Sequence, residues 1–449
     1  MKINSSKKND IIRTIKREIL FTDSDYDKEV KQYLFKNMWY RRTIYNIGVK
    51  HILDLDERNK EIPDNEKHKR EYFNRFRWST EFHAKYEVEG MSLHEEFTQM
   101  VKGIRAMVAK DLDMANESVW KHRKEGIHSE VRFRRFNRND RSFGVENKFR
   151  NSDKTRRALQ INKDGLHLKF QCRGKMSIPY SINLTLKESV YSDRKYIFNE
   201  LDVVEVHFKY KAGKFYIILP TKVAIIPRYD NEVREELAGI DEGERNSIAL
   251  SDNGKEKKVQ MIDIITPNIE VRYKRLSKRI DKLKSYRDNK IYGSNNMKKL
   301  SEKISRLYVR QSNIVQDRRK KVANIISSRY NNLIVDEFSV PIVNVYDKDI
   351  CTKKRKNINK KMYMNGMSYF KEDLKIASQN NYTNYYKALP NTTRTCSRCG
   401  YINEPLPLSE EYLLCKHCGK LIHRDVNAAL NCYDQYYEVS NYYYNILIT

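Results

Sequence analysis

Four cysteines near the carboxyl terminus constrain the fold of this chain more than any other feature. They lie in "CSRCG" and "CKHCG", as Cys396, Cys399, Cys415 and Cys418, with the spacing C-x2-C-x15-C-x2-C. Two short knuckles of this kind bring four thiolates together around a tetrahedral Zn²⁺, and the glycine after each second cysteine permits the tight turn. Because four protein ligands leave zinc no open position, the pattern predicts one structural zinc ion and not a catalytic one.

The other cysteines do not indicate a disulfide framework. Cys172, Cys351 and Cys432 stand far apart in the sequence, and small buried thiols are the simplest interpretation. No apolar run is long enough to cross a membrane, and no signal peptide follows "MKINSSKKND". We therefore expect a reducing cytoplasmic location and no membrane partner.

The charge of the chain favours a polyanionic partner. Among 449 residues, 87 are Lys or Arg and 59 are Asp or Glu, which gives a net charge of +28. Each phosphate that a basic side chain neutralises releases condensed counterions, so a surplus of this size favours nucleic acid. The length allows about three domains.

The spacing of apolar residues changes along the chain. Residues 10 to 21 predict a strand that joins a sheet elsewhere, and from about Asp27 to residue 125 the period is helical. Between residues 130 and 235 the period is two, which predicts a small β-barrel. Residues 268 to 330 predict a basic helical hairpin that is interrupted at "NKIYGSNN".

Acidic residues follow two short apolar strands and begin one late helix. Asp241 ends the strand in "LAGIDEGERNSIALSDNGK", and Asp336 and Glu337 end the strand in "NNLIVDEFSV". Asp425 follows the second cysteine segment, in "RDVNAALN". Acids in such positions can converge on two metal ions about 3.5–4 Å apart, an arrangement that hydrolyses phosphodiesters. Each acid alone is explained as a solvated strand end, but together they predict a metal site.

These motifs resemble a known family in their order. G-I-D-x-G, an apolar strand that ends in an acid, and a zinc ribbon that runs into R-D-x-N-A-A resemble the split RuvC core of TnpB proteins and of the miniature type V-F CRISPR effectors. The resemblance is specific over residues 237 to 431 and weaker upstream.

The resemblance implies a multidomain α+β protein. It would have a helical recognition lobe, a β-barrel wedge domain and a RuvC (RNase H-like α/β) nuclease core with a four-cysteine zinc-ribbon insert. The implied segments are a first wedge segment 1–26, recognition domain 27–128, wedge domain 129–235, nuclease core 236–390, target-nucleic-acid-binding zinc ribbon 391–420 and final nuclease segment 421–449.

The resemblance also assigns site residues. Asp241 matches the first catalytic aspartate and Asp425 the last, whereas the middle acid is Asp336 by strand register and Glu337 by residue identity. Successive side chains of a strand face opposite sides, so the two are not equivalent, and Asp336 is slightly favoured. Arg424 and Asn427 match accessory positions, with phosphate contact and hydrogen bonding to the site as their suggested roles.

The implied function is that of an RNA-guided DNA endonuclease of antiviral defence in the prokaryotic cytoplasm. A guide RNA and a short flanking motif would select double-stranded DNA, and one two-Mg²⁺ site held by Asp241, Asp336 and Asp425 would cut both strands. The resemblance further implies a homodimer on one guide RNA.

Three alternatives stay open at this point. A TnpB nuclease guided by RNA from a transposon end would use the same chemistry, although the long helical amino-terminal region favours the CRISPR version. An RNA-guided repressor that does not cut would be expected to lack one of the acids. A guide-free RuvC resolvase would need neither the helical and β modules nor the ribbon.

Overall fold

Two β-sheets organise the chain, each in its own unit. The computed structural model describes residues 11–78, 100–101, 103–134, 140–151, 154–172, 181–188, 203–223, 234–242, 247–336, 369–406 and 410–440. The chain divides into two compact units, Met1–Ala224 and Ile225–Thr449. Both contain helices and sheets, so the protein has a multidomain α+β fold.

The amino-terminal unit contains a seven-stranded sheet and two long helices. Its helices are α1 (Asp25–Glu61) and α2 (Ile104–Lys124), with a 3-10 helix at Asp64–Lys69. Its strands are β1 (Ile11–Leu20), β2 (Asp140–Glu146), β3 (Lys148–Asn151), β4 (Lys154–Arg157), β5 (Leu159–Ile161), β6 (His167–Gln171), β7 (Ser181–Leu186), β8 (Glu205–Lys211) and β9 (Lys214–Val223). The main sheet has the order β2-β8-β9-β1-β7-β6-β5, and β3 pairs with β4 alone.

Strand β1 joins a sheet whose other strands come more than a hundred residues later. It pairs antiparallel with β9 from Ile11↔Val223 to Ile19↔Phe215, and its end also pairs with β7. This is the distant pairing that the sequence predicts for residues 10 to 21. The inward side chains of the sheet, including Phe143, Phe170 and Phe208, are fully buried in one apolar core with the inner faces of α1 and α2.

The β-barrel predicted for this region is not found. In the described part of the chain, β2 and β5 are the two edges of an open sheet, and no ladder of hydrogen bonds joins them. They meet instead at Asn147, whose buried side-chain oxygen accepts from the backbone N–H groups of Ala158 at 3.1 Å and Leu159 at 3.0 Å. Its amide also donates to the Val203 carbonyl at 2.9 Å. The Asn147 side chain, with one backbone bond from the Ala158 N–H to the Asn147 carbonyl at 3.1 Å, therefore bridges the two edges where a barrel would have a strand pair.

The carboxyl-terminal unit contains a mixed five-stranded sheet. Its helices are α3 (Pro267–Asp288), α4 (Asn295–Arg329), α5 (Phe370–Asn381) and α6 (Arg424–Asp434), with a 3-10 helix at Glu256–Lys258. Its strands are β10 (Glu235–Glu242), β11 (Ser247–Ser251), β12 (Gln260–Asp263), β13 (Tyr330–Val335) and β14 (Asn384–Lys387), and a separate hairpin is formed by β15 (Tyr412–Leu414) and β16 (Leu421–His423).

The order of the mixed sheet is β12-β11-β10-β13-β14. Strand β10 runs parallel to β13 and antiparallel to β11, so the two strands that carry acids at their carboxyl ends are direct neighbours. One face packs on α4 and α5 through a core that includes Leu333, Val335 and Phe370. Helices α3 and α4 occupy the stretch for which the sequence predicts a basic hairpin. Among the described residues, no helix is long and apolar enough to cross a membrane.

We expect Asn147→Ala to destabilise the amino-terminal unit by about 1–3 kcal/mol, because it removes the side-chain bonds to the Leu159 N–H and the Val203 carbonyl, while the Ala158 N–H keeps its bond to the Asn147 backbone carbonyl. Chemical denaturation of wild type and variant measures the loss. Asn162→Ala is the matched control, since Asn162 is an exposed asparagine of the same unit. Equal stabilities of the Asn147 and Asn162 variants would contradict the role given to the bridge.

Candidate acidic site and zinc centre

Strand register brings Asp241 and Asp336 together. Ile240 of β10 lies opposite Val335 of β13, and the backbone N–H of Asp336 donates to the Ile240 carbonyl at 2.9 Å. Asp241 and Asp336 are thus neighbouring positions at the carboxyl ends of two parallel strands, where open α/β sheets place their ligands. Glu337 lies outside the described residues.

A close approach of α6 to β10 adds the third acid. A Cβ atom on Gly239 would lie 2.3 Å from the backbone oxygen of Ala429 and 2.3 Å from the backbone nitrogen of Tyr433. The backbone of α6 therefore packs directly on the strand, and only glycine leaves the space. Asp425, in the first turn of this helix, is 8% exposed and Asp241 is 3% exposed.

The three carboxylates interact electrostatically. Burial raises the pKa of Asp241 well above its ordinary value, and the charges of Asp425, Asp336 and Glu242 raise this pKa further, whereas the Arg424 charge lowers it. Arg424 places its Nε atom 3.8 Å from the Asp425 carboxylate. Because one guanidinium cannot neutralise several carboxylates, the site favours the binding of a proton or a cation.

The donor chemistry of the acidic site fits Mg²⁺, which prefers carboxylate oxygens. In the part of the chain that the structure describes, only the four cysteines form a group of three or more potential metal ligands that all lie within 4.8 Å of one another. The three acids are therefore set wider than one compact cluster.

The four cysteines have the geometry of a tetrahedral zinc site. The Sγ atoms of Cys396 and Cys418 are 3.7 Å apart, and so are those of Cys399 and Cys415. Zn–S bonds of about 2.3 Å in a tetrahedron place sulfur atoms about 3.8 Å apart. The cluster that the sequence predicts is therefore present and fits the ion.

Two matching turns build this cluster. Gly400 donates its N–H to the Cys396 carbonyl at 2.9 Å, and Gly419 donates to the Cys415 carbonyl at 3.0 Å. Both glycines have positive φ, 72° and 67°, a conformation that other residues adopt only with strain. The buried side chain of Asn403 joins the turns, because its amide donates to the Arg394 carbonyl and its oxygen accepts from the Lys416 N–H.

Hydrogen bonds connect the first zinc knuckle to two of the acids. The N–H of Ser397, between the first two cysteines, donates to Oδ1 of Asn427 at 2.8 Å. The Asn427 amide donates to the Thr395 carbonyl at 2.7 Å and to the Thr392 carbonyl at 3.3 Å, and the Thr392 hydroxyl donates to the Asp336 carboxylate. The knuckle thus fixes both the helix that carries Asp425 and the loop that holds Asp336.

Some residues of the site have no signal in the sequence. Thr392 belongs to no motif, and the G-I-D motif does not indicate the close helix contact at Gly239. Asn431, whose amide donates to the carbonyls of Thr392 and Thr395 at 2.6 Å each, could have been found. Asn431 lies four residues after Asn427, on the same face of a helix whose neighbouring side chains are apolar. Two amides on an otherwise apolar face indicate hydrogen bonds to another segment of the chain.

The comparisons with known proteins agree with this geometry. The family model described as Cas12f1-like, TNB domain matches residues 382–432, which include all four cysteines and Asp425. The chain is also similar to the structure of a Cas12f1–sgRNA–target DNA complex, with a TM-score of 0.50 and 13% identity over 95% of this chain and 99% of that chain. The chain has a Cas12f-like fold with a Cas12f1-like TNB domain.

This outcome confirms the resemblance to the miniature type V-F effectors that the sequence indicates. A CRISPR-Cas12f ternary complex is a more distant structure, with a TM-score of 0.30 and 12% identity over 90% of this chain and 82% of that chain. No curated protein matches the sequence. In this Cas12f-like chain, Asp425 and the TNB domain share one helix, α6.

We expect Asp241→Asn to stabilise the Cas12f-like chain at pH 8 without added Mg²⁺, because the amide removes repulsion among buried carboxylates. Since the pKa of Asp241 is raised in the folded state, the free energy of unfolding of the wild type falls as pH rises above about 4, and the advantage of the variant shrinks on acidification. Melting curves of the zinc-loaded protein measure this difference in stability, and a gain of about 1 kcal/mol raises the melting temperature by about 2–4 °C.

The exposed Asp263 of the same sheet provides the control for this experiment, as Asp263→Asn. Its melting temperature should follow that of the wild type at every pH. A destabilised Asp241→Asn variant at pH 8 would contradict the like-charge description of the site.

We expect Asn427→Ala to retain one zinc ion per chain but to loosen α6, because the four thiolates remain while the bond from the Ser397 N–H is lost and only Asn431 still donates to the Thr395 carbonyl. The loss of such bonds costs about 1–3 kcal/mol. Hydrogen exchange of the α6 amides should become faster, as measured by mass spectrometry, with the exposed Asn296 replaced by Ala as the control. Zinc content is measured on the same samples, and a loss of zinc would show that the ribbon itself has unfolded.

Proposed function

We propose that this chain is an RNA-guided DNA endonuclease of the type V-F kind. One observation carries the proposal: Asp241, Asp336 and Asp425 converge at the end of a mixed sheet, directly beside a Cas12f1-like TNB domain. The acids supply the chemistry of a metal-dependent nuclease, and the TNB domain supplies the context of a guided effector.

Each side chain of the acidic site has its own proposed role. Asp241, Asp336 and Asp425 would hold two Mg²⁺ ions, which, when bound, activate water and stabilise the leaving oxygen of a phosphodiester. Thr392 orients Asp336 through its hydroxyl, and Asn427 keeps α6 in place. Arg424 is near enough to the acids to contact a phosphate between them. Register supports Asp336, and not Glu337, as the middle acid.

Guide RNA and target DNA are the proposed partners. The solved Cas12f1 structure that this fold resembles holds an sgRNA and a target DNA, and the net charge of +28 suits both polyanions. Guide pairing would select the sequence and the protein would read a short flanking motif. One acidic site would then cut both strands in turn, and two copies of the chain would share one guide RNA.

Cleavage is favoured over binding alone because the three acids are all present and converge. A TnpB nuclease guided by transposon-end RNA is the second candidate, and the TNB match favours the Cas12f version. Sequencing of the RNA that co-purifies from cells carrying the native flanking DNA separates the two. Repeat-spacer RNA would support the CRISPR version, and transposon-end RNA would support TnpB.

We expect Asp241→Ala and Asp425→Ala each to lower the cleavage rate of guide-matched linear DNA in Mg²⁺ by more than ~100-fold, because each removes a direct metal ligand. Asp336→Asn should do the same, while Glu337→Gln should keep most activity. Single-turnover assays on a denaturing gel give the rates, with Asp263→Ala as the control. Unchanged cutting by the Asp241 and Asp425 variants would rule out this site as the nuclease.

A further inference from the structure

The turn between α3 and α4 exposes two large apolar side chains. Ile291 is 83% exposed and Tyr292 is 84% exposed. They are adjacent and stand at the far end of a long hairpin. Scattered exposed apolar residues are ordinary on a protein surface, but the surroundings of this pair, which we name the hairpin tip, make it different.

The backbone of the hairpin tip is ordered by its own hydrogen bonds. The N–H of Lys290 donates to the Arg287 carbonyl at 3.0 Å, and the N–H of Ser294 donates to the Ile291 carbonyl at 3.1 Å. Gly293 has a φ of 77°, and Ser294 caps α4 by accepting from the Met297 N–H at 3.3 Å. The turn therefore holds both side chains outward on a defined support.

The two arms behind the hairpin tip are strongly basic. Residues 272–310 contain fourteen Lys or Arg and three acidic residues, a net charge of +11. Exposed tyrosines lie among them, with Lys282 over the ring of Tyr286 and Lys284 over that of Tyr308. In α3 only Ile280 is buried. Basic groups with interspersed aromatic rings are the usual surface for a nucleic-acid strand.

Sheet register places the hairpin tip on the same side as the acids. Asp263, at the end of β12, lies opposite Ser247, and the next residue of β11, Ile248, lies opposite Glu242 of β10. The end of β12 is therefore at the acidic end of the sheet. The Arg318 guanidinium donates to the Asp263 carbonyl at 3.4 Å. The part of α4 around Arg318 therefore lies beside the acidic end of the sheet.

From Arg318 back to the start of α4 at Asn295 is 23 residues. At about 1.5 Å per residue, this part of α4 is about 35 Å long, which is the full reach of the hairpin beyond the acidic end of the sheet. A DNA strand rises about 3.4 Å per nucleotide. At full reach the hairpin tip is about ten nucleotides from a strand cut at the acids.

We propose that the hairpin tip contacts the bases of the DNA substrate about ten nucleotides from the cut, with the Tyr292 ring stacked on a base and Ile291 wedged against its neighbour. The inference rests on the proposed nuclease function. The basic arms bind phosphates along the intervening strand, and the tip adds base contacts that depend on ring surface and not on charge.

The test compares the double variant Ile291→Ser and Tyr292→Ser with the wild type, both with Asp241→Asn so that the DNA stays uncut. One stacked base is worth about 1–3 kcal/mol, so guide-matched DNA should bind about 5- to 100-fold more weakly. The salt dependence of binding should not change, since no charge is removed. A 2-aminopurine placed about ten nucleotides from the cut should change fluorescence on binding only with the wild-type tip.

Two controls isolate the ring and the position. Tyr292→Phe should bind DNA as the wild type does, and Tyr437→Ser, which changes another exposed tyrosine of the same unit, should have no effect. Equal DNA affinity and equal fluorescence of wild-type and double-variant tips would overturn the proposal.

Two other results would also overturn the proposal, because they would show that the hairpin tip contacts a different partner. Weaker guide-RNA binding before DNA is added would make the tip an RNA contact, and a change in mass by light scattering would make it a protein interface. Guide-matched DNA that binds no better than unmatched DNA in the wild type would contradict the proposed function itself, whereas guided binding that ignores the tip contradicts only this inference.

Discussion

The acidic site depends on the backbone contact between α6 and β10 at Gly239. This contact brings Asp425 to the end of the strand that carries Asp241, in a place where burial and like charge both oppose ionisation. Packing supplies the opposing free energy: Leu430 and Cys432 of α6 are buried in apolar clusters with the ribbon hairpin and with the sheet. The helix is thus held by its apolar face, while its first turn presents the acid.

The zinc ribbon belongs to this support. Its first knuckle bonds Asn427, its loop bonds Asp336 through Thr392, and Asn403 joins the two knuckles. A four-thiolate zinc site contributes folding free energy but no open ligand position. Its contribution to the acids is therefore positional: it keeps a strand end and a helix start in register although more than eighty residues separate Asp336 from Asp425 in sequence.

The local patterns of the sequence were good predictors of local chemistry. Cysteine spacing predicted the metal cluster, and acids after apolar strands predicted which carboxylates meet, because both follow from short-range geometry. The β-barrel prediction was wrong, because alternation shows that strands exist but not whether two edge strands pair, and here Asn147 replaces that pair. The position of Asp336 beside Asp241 depends on the register of β10 with β13, and the contact from Thr392 depends on a loop position, neither of which is encoded locally.

The carboxylates of the acidic site are unfavourable for folding. Asp425, Asp336 and Glu242 raise the pKa of the buried Asp241, and apolar side chains of similar volume there would avoid both desolvation and repulsion. Yet Gly239, Thr392 and Asn427 are arranged to hold them together. Arg424 supplies part of the compensating positive charge, and a proton or a cation can supply the rest. The repulsion among the acids is therefore the physical reason why we expect this site to favour a cation.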